Sequence, residues 1–108
     1  MTGVQTCALP ISTFPDAECA RRIVTQLVEE KLAVCGNILP AVESIFRWEG
    51  KVHTSAEAMA ILKTDYGHFH TMQARLTELH PYDVPECLAL RVADGPAKYL
   101  RWLGDSLE

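Results

Sequence analysis

Residues 34–64 read VCGNILPAVESIFRW, EGK and VHTSAEAMAILKT, two runs of extended character around a short link. The link from Glu49 to Lys51 is typical of a tight hairpin turn. Along the second run, small apolar residues recur at every second position from Ala56 to Leu62, which predicts a strand. Pro40 interrupts the first run. It marks either a bulge within one long strand or a break into two short strands, and the second case would leave a compact monomer.

The length of this hairpin predicts self-association. Strands of about 14 residues reach roughly 46 Å, whereas a domain of this size has a radius of gyration near 13 Å. The hairpin should therefore project beyond its own globule, carrying Phe46, Trp48 and Val52 with it. Because an isolated two-stranded ribbon is marginally stable in water, we expect other subunits to cover it.

Outward from the hairpin, the sequence predicts an α+β fold. Asp16 caps a predicted helix over 17–32, and a second helix follows Asp65 to about Leu79. A short strand over 87–92 and a final helix over 97–107 complete the chain. With a first strand before Thr13, the order is βαββαβ plus a C-terminal helix, for which the ferredoxin-like arrangement is the simplest topology.

Composition narrows the class of protein. A length of 108 residues fits one domain, and the net charge of -4, without a basic cluster, argues against nucleic-acid binding. No apolar stretch approaches the ~20 residues of a membrane-spanning helix. The four cysteines are widely spaced and form no CxxC pair, so we expect reduced thiols and a cytoplasmic location.

The first eleven residues stand apart from the rest. Residues 1–11, MTGVQTCALPI, resemble the translation of a sequencing-adapter oligonucleotide. We expect this segment to be non-native and residues 12–108 to form the domain. Pro10 lies where a central strand would need an amide donor, which predicts a poorly paired start.

Several motifs together resemble the CutA family of divalent-cation tolerance proteins. No single motif decides the matter, but their order and spacing over residues 13–108 match the family. The motifs are TFPD at 13–16, EEKLAVCGNILP at 29–40, SIFRWEGKV at 44–52, AILKT at 60–64, HPYDVPE at 80–86 and YLRWL at 99–103.

The resemblance implies a homotrimer similar in shape to PII signalling proteins, associated with metal tolerance and copper binding, and without an established catalytic activity. Copper or another divalent cation is then the candidate ligand, and no cofactor is required. Two departures bear on metal binding. Ser12 stands where the family has a cysteine, and Leu79 precedes His80 where some members have two adjacent histidines.

Two residues are candidate metal ligands. His80 lies at a predicted helix end beside Pro81 and is either a ligand or a loop or cap histidine. Cys35 matches a family cysteine and is either an inert buried thiol or a donor to a thiophilic metal. A soft or borderline ion usually takes three or four Cys and His ligands. A high-affinity copper site within one subunit is therefore not expected.

A second group is assigned to subunit contacts. The resemblance places the hairpin tip, with Trp48, Glu49 and Lys51, at a subunit interface. A further set is a candidate lining for a cleft between subunits, although Trp102 could equally pack with Tyr99 in an ordinary core: Lys63, Tyr82, Glu86, Tyr99 and Trp102.

Two functions remain open, and a third is disfavoured. The first is a non-enzymatic trimer that responds to metal ions and binds copper weakly. The alternative is a PII-like regulatory trimer that binds a small anionic metabolite between subunits, with charge from Lys51 and Lys63 but without a Gly-rich phosphate cradle. An acylphosphatase-like enzyme would need an Arg in the loop after the first strand, and that loop reads TFPD.

Overall fold

The computed structural model describes residues 6–108 and contains one four-stranded antiparallel sheet with three helices. The sheet order is β2-β3-β1-β4, which is the split βαβ arrangement expected from the sequence. Within the described residues, no helix is both long and apolar enough to cross a membrane. The elements are β1 Cys7–Phe14, α1 Ala17–Glu29, β2 Cys35–Trp48, β3 Lys51–Asp65, α2 Tyr66–Leu79, β4 Leu88–Arg91 and α3 Ala97–Asp105.

One face of the sheet packs against α1 and α2 and forms the main core. Alternate residues of β3 point into this core, and Ala58, Ala60 and Leu62 are buried there. Each of the two helices begins at an aspartate cap: Asp16 accepts a hydrogen bond from the Cys19 amide, and Asp65 accepts one from the His68 amide. The caps and the apolar faces of the helices together fix this side of the subunit.

The other face of the sheet is covered at one end only. There Leu103 of α3 and Leu107, just after α3, pack against Cys7. The rest of this face carries polar residues such as Asn37 and Lys63 beside a set of half-exposed or exposed apolar side chains, and we call that apolar set the open face. By strand alternation and register it consists of Leu9, Ile11, Leu39, Met59, Ile61, Leu88 and Leu90.

Strands β2 and β3 form one long hairpin. Their register shifts between Leu39 and Val42, so that Pro40 and Ala41 lie opposite Ala58 alone. This is a β-bulge, in which an extra residue fits without ending the strand. Of the two interpretations of Pro40, the bulge within a long strand is therefore confirmed. The molecule measures 45 × 26 × 22 Å along its principal axes, consistent with a projecting hairpin.

The start of the chain is better paired than expected. Cys7–Phe14 is a central strand that pairs with both β3 and β4, so the prediction of a poorly paired start is wrong. Pro10 still pairs with Ala89 of β4, and only Leu9 and Pro10 lack a partner in the β3 ladder. The register is the same on both sides of this gap, because neighbouring pairs hold the strand in place. The expectation that residues 1–11 are non-native falls partly on residues 1–5, which lie outside the described residues.

Candidate functional site

His80 lies at the end of α2, buried between the helix and the end of β1. Its backbone amide donates to the Leu76 carbonyl, and its ring stacks on Phe14 at a centroid distance of 5.0 Å. Nδ1 accepts a hydrogen bond from the Tyr82 amide at 3.1 Å. Nε2 must then carry the proton and donate to the Thr13 carbonyl oxygen at 2.8 Å.

Burial and the acceptor role of Nδ1 favour the neutral imidazole. Burial lowers the pKa of His80, and the Thr13 carbonyl and the charge of Glu57 oppose this only in part. Both ring nitrogens are engaged, so a metal ion would have to replace one of the two hydrogen bonds. The geometry in one subunit thus supports the cap histidine, and a role as ligand stays a prediction.

Cys35 lies at the start of β2, half-buried, directly opposite Lys63 of β3. Paired residues of adjacent strands share a face, so the thiol and the Lys63 side chain lie on the same side of the sheet. The thiol is unpaired with any other cysteine.

A metal site needs several His, Cys, Asp or Glu side chains close together. Within residues 6–108, no three His, Cys, Asp or Glu side chains come together as a metal-binding group. Ser12 is fully buried and donates to the Glu86 carbonyl oxygen at 2.6 Å. The described residues of one subunit thus do not form a cluster of three or four Cys and His ligands, and copper binding stays a prediction.

The five residues assigned to a cleft fall into two groups. Lys63 donates to the Tyr99 hydroxyl oxygen at 3.2 Å, and the Tyr99 ring packs on Trp102 at 5.4 Å. Tyr82 instead donates a short hydrogen bond to Glu57. Burial and this carboxylate raise the pKa of Tyr82, so the phenol stays protonated.

The two groups are far apart within one subunit. Glu57 and Lys63 are six residues apart on β3, roughly 20 Å at the rise of a strand. Glu86 is exposed, and its backbone oxygen rather than its carboxylate is engaged, by Ser12. One subunit therefore does not bring the five residues into one cleft, and a shared cleft remains a prediction about the assembly.

The hairpin tip presents large exposed side chains. Trp48 pairs with Lys51 across the turn formed by Glu49 and Gly50. Trp48 is 50% exposed and Ile45 is 67% exposed. Phe46 stacks on His53 of the facing strand at 5.7 Å. The sequence predicted the position of the hairpin tip. It did not predict the hydrogen bonds from Tyr82 to Glu57 and from His80 to Thr13, because these residues are far apart in the sequence.

Comparison with known proteins gives a consistent family match. The family model described as CutA1 divalent ion tolerance protein matches residues 8–106. A divalent-cation tolerance protein CutA from Pectobacterium atrosepticum is 40% identical over 97 residues, covering 90% of this chain and 88% of that protein.

Solved structures agree with this match. The divalent cation tolerance protein Cut A1 from Thermus thermophilus is similar at a TM-score of 0.90 and 42% identity, covering 93% of this chain and 97% of that one. CutA from Xylella fastidiosa is similar at a TM-score of 0.92 and 38% identity, covering 95% and 99% of the two chains.

Proposed function

Because this chain belongs to the CutA1 divalent ion tolerance family, we propose that it acts as a non-enzymatic homotrimer in the response to divalent metal ions. The observation that carries the proposal is the open face together with the projecting hairpin. Leu88 is 64% exposed and Leu90 is 51% exposed on that face. Contiguous apolar surface of this kind is typical of a protein–protein interface.

The hairpin supports the same conclusion. Ile45, Trp48 and Val52 are exposed on a ribbon that its own subunit does not cover. Association would bury these side chains and the open face together. At about 25 cal/mol per Å² of apolar surface removed from water, this burial favours assembly.

Light scattering after size-exclusion chromatography tests the assembly. We expect a mass of about 36 kDa, three times the 12.0 kDa of one chain. Leu90→Glu places a charge on the open face and should shift the mass towards the monomer. Val84→Glu is the matched control, because Val84 is 68% exposed in the loop before β4 and should leave the mass unchanged. A stable monomer of the wild-type protein at micromolar concentration would overturn the proposal.

For copper, we propose weak binding by a single subunit. The proposal is supported by the hydrogen bonds that occupy both nitrogens of His80 and by the absence of a three-ligand group within the described residues. Calorimetric titration with Cu(I) and Cu(II), on wild-type protein and His80→Ala, tests it. Identical isotherms would remove His80 from any copper site.

The absence of catalysis is part of the same proposal. His80 has no ring nitrogen available as a general base. No buried side-chain nitrogen or oxygen in the described part of the chain lacks a hydrogen-bond partner. No disulfide joins the cysteines in the described part of the chain, which supports a reducing compartment such as the cytoplasm.

A second candidate function rests on a specific observation. Lys63 carries a charge beside the exposed rings of Tyr99 and Trp102, which could receive a small anionic metabolite in a PII-like trimer. Thermal-shift screening against nucleotides and organic acids separates the two functions, because a specific ligand raises the melting temperature by mass action. If a ligand raises the melting temperature of the wild type but not that of Lys63→Met, the result would favour metabolite binding as the function.

A further inference from the structure

The loop that joins β4 to α3 contains the dipeptide Asp94-Gly95, followed by Pro96. Asp94 is exposed, and Gly95 is half-buried. The Asp94 side chain folds back onto the main chain, where its carboxylate Oδ1 accepts a hydrogen bond from the Gly95 amide nitrogen at 2.8 Å. The carboxyl group and the amide nitrogen of the following residue are thus held close together at an exposed position.

This closeness matters because the two groups can form a five-membered ring. Attack of a backbone amide nitrogen on the carboxyl carbon of the preceding aspartate gives a cyclic imide, a succinimide. A reaction within one chain is faster when the reacting atoms are already held near each other. Glycine favours ring closure further, because it has no Cβ beside the nitrogen and its backbone adopts more conformations than that of other residues.

The other four aspartates of the chain are less suited to this reaction. Each of them, Asp16, Asp65, Asp83 and Asp105, precedes a residue that has a Cβ. The carboxylates of Asp16 and Asp65 also accept hydrogen bonds from the amide three residues ahead, as helix caps. Asp94 therefore combines a following glycine with a carboxylate that contacts the amide of that glycine.

We propose that Asp94 is a site of spontaneous isoaspartate formation. The Gly95 nitrogen bonds to Asp94 Cγ, and one carboxylate oxygen leaves as water with the amide proton and a proton from solvent. A second water molecule then opens the succinimide. Attack of this water at Cγ restores aspartate, whereas attack at the main-chain carbonyl carbon of Asp94 gives isoaspartate, and the new carboxyl group returns the proton to solvent. No electrons are transferred, and the reaction does not depend on the proposed function.

The consequence of this reaction falls on α3. Isoaspartate adds one methylene to the main chain of the short loop before Ala97, where α3 begins. The start of α3 has no side-chain cap, and the Leu100 amide donates to the Pro96 carbonyl oxygen at 3.0 Å. Further along the helix, Leu103 packs against Cys7. Since the loop sets the position of the first turn, a longer main chain should weaken the packing of α3 on the sheet.

Ageing of the full chain at neutral pH over several weeks tests the proposal. Trypsin releases residues 92–98, which contain Asp94, and residues 76–91, which contain Asp83. Isoaspartate has the mass of aspartate, so chromatography and electron-transfer fragmentation of each peptide measure the converted fraction. We expect conversion at Asp94 to be at least about tenfold faster than at Asp83. Equal conversion at the two positions, or none at Asp94 while a synthetic peptide of residues 92–98 is converted, would overturn the proposal.

Two variants test the ring closure itself. In Gly95→Ala the added Cβ would lie 3.5 Å from Leu100 Cδ2, an ordinary contact, so the fold should be kept. We expect this variant to slow conversion at Asp94 by about tenfold. Asp94→Glu would need a six-membered ring and should give no isomer over the same period. Circular dichroism and light scattering on the same samples record folding and assembly. An unchanged rate in folded Gly95→Ala would contradict the proposed attack by the glycine nitrogen.

The effect on α3 has its own measurement. Aged wild-type protein should melt at a lower temperature than fresh protein, in proportion to its isoaspartate content. Aged and fresh Asp94→Glu should melt at the same temperature, which controls for other damage during storage. If converted and unconverted wild-type protein melt alike, isoaspartate does not weaken the packing of α3.

Discussion

At the scale of single residues, His80 shows how one side chain joins two distant parts of the chain. Its ring donates to Thr13 and accepts from Tyr82, so it ties the end of α2 to the end of β1. The bond from Tyr82 requires the neutral ring, because Nδ1 can accept only while the proton is on Nε2. The folded protein therefore disfavours the charged form, whereas the unfolded chain accepts the proton with a pKa of about 6.5.

His80 should make stability depend on pH. Since burial lowers the pKa of His80 in the folded state, the unfolded state binds more protons below about pH 6.5, and stability falls as the pH drops through that value. We expect His80→Gln to be less stable at pH 7.5 by about 1–3 kcal/mol, because the Thr13 and Tyr82 groups lose a well-placed partner.

Urea unfolding of His80→Gln at pH 7.5, 6.5 and 5.5 gives the measurement. The variant should lose less stability than the wild type between pH 7.5 and 5.5. His70→Gln is the control, because His70 is exposed on α2. If both variants show the wild-type pH dependence, His80 is not the group that titrates.

At the scale of elements, the hairpin turn sets the register of the long ribbon. Glu49 has φ 50° and Gly50 has φ 79°, as expected for a two-residue type I′ turn. Gly50→Ala should lower the free energy of unfolding by about 1–2 kcal/mol, because a Cβ is unfavourable in the left-handed region. Gly67→Ala, in α2, should instead raise it by about 0.5–1 kcal/mol. Chemical denaturation of both variants checks the opposite signs, and equal effects would refute the assignment of the turn.

The loop after α2 is fastened to the hairpin by one hydrogen bond. The Tyr82 hydroxyl donates to Glu57 of β3, next to the bulge at Ala58. A double-mutant cycle with Tyr82→Phe and Glu57→Gln should give a coupling free energy of about 1 kcal/mol, because the acceptor is a carboxylate in a half-buried site. Additive effects of the two substitutions on the unfolding free energy would show that the bond does not contribute.

Helix and strand positions were predicted closely, and the differences have local causes. The sequence placed the end of the first helix at Leu32, but α1 ends at Glu29. Lys31 there has φ 61°, and the Leu32 amide bonds to the Leu27 carbonyl, which closes the helix. This position usually holds glycine, so a lysine there gave no signal in the sequence that the helix ends. The β4 and α3 ends also fall one or two residues inside the predicted ranges.

At the scale of the whole molecule, the elongated shape of the subunit bears on its assembly into a trimer. The radius of gyration is 14.5 Å, against about 13 Å for a compact chain of this length. A trimer that forms through the open face should melt at a temperature that rises with protein concentration. We expect this rise for the wild type and for Val84→Glu, and a smaller rise for Leu90→Glu. Scanning calorimetry over a hundredfold concentration range gives the measurement, and a constant midpoint would contradict the trimer.

The sequence by itself determined the order of the elements, the capping aspartates, the hairpin and the family. These features depend on short-range periodicity and on a few adjacent residues, and both can be recognised in the amino-acid sequence. Only the tertiary structure decided the partners of the site residues. The Thr13 carbonyl meets His80 across 67 positions, and Cys35 meets Lys63 through strand register. Such contacts depend on how the sheet and helices pack, and packing sums many weak long-range interactions that no local pattern records.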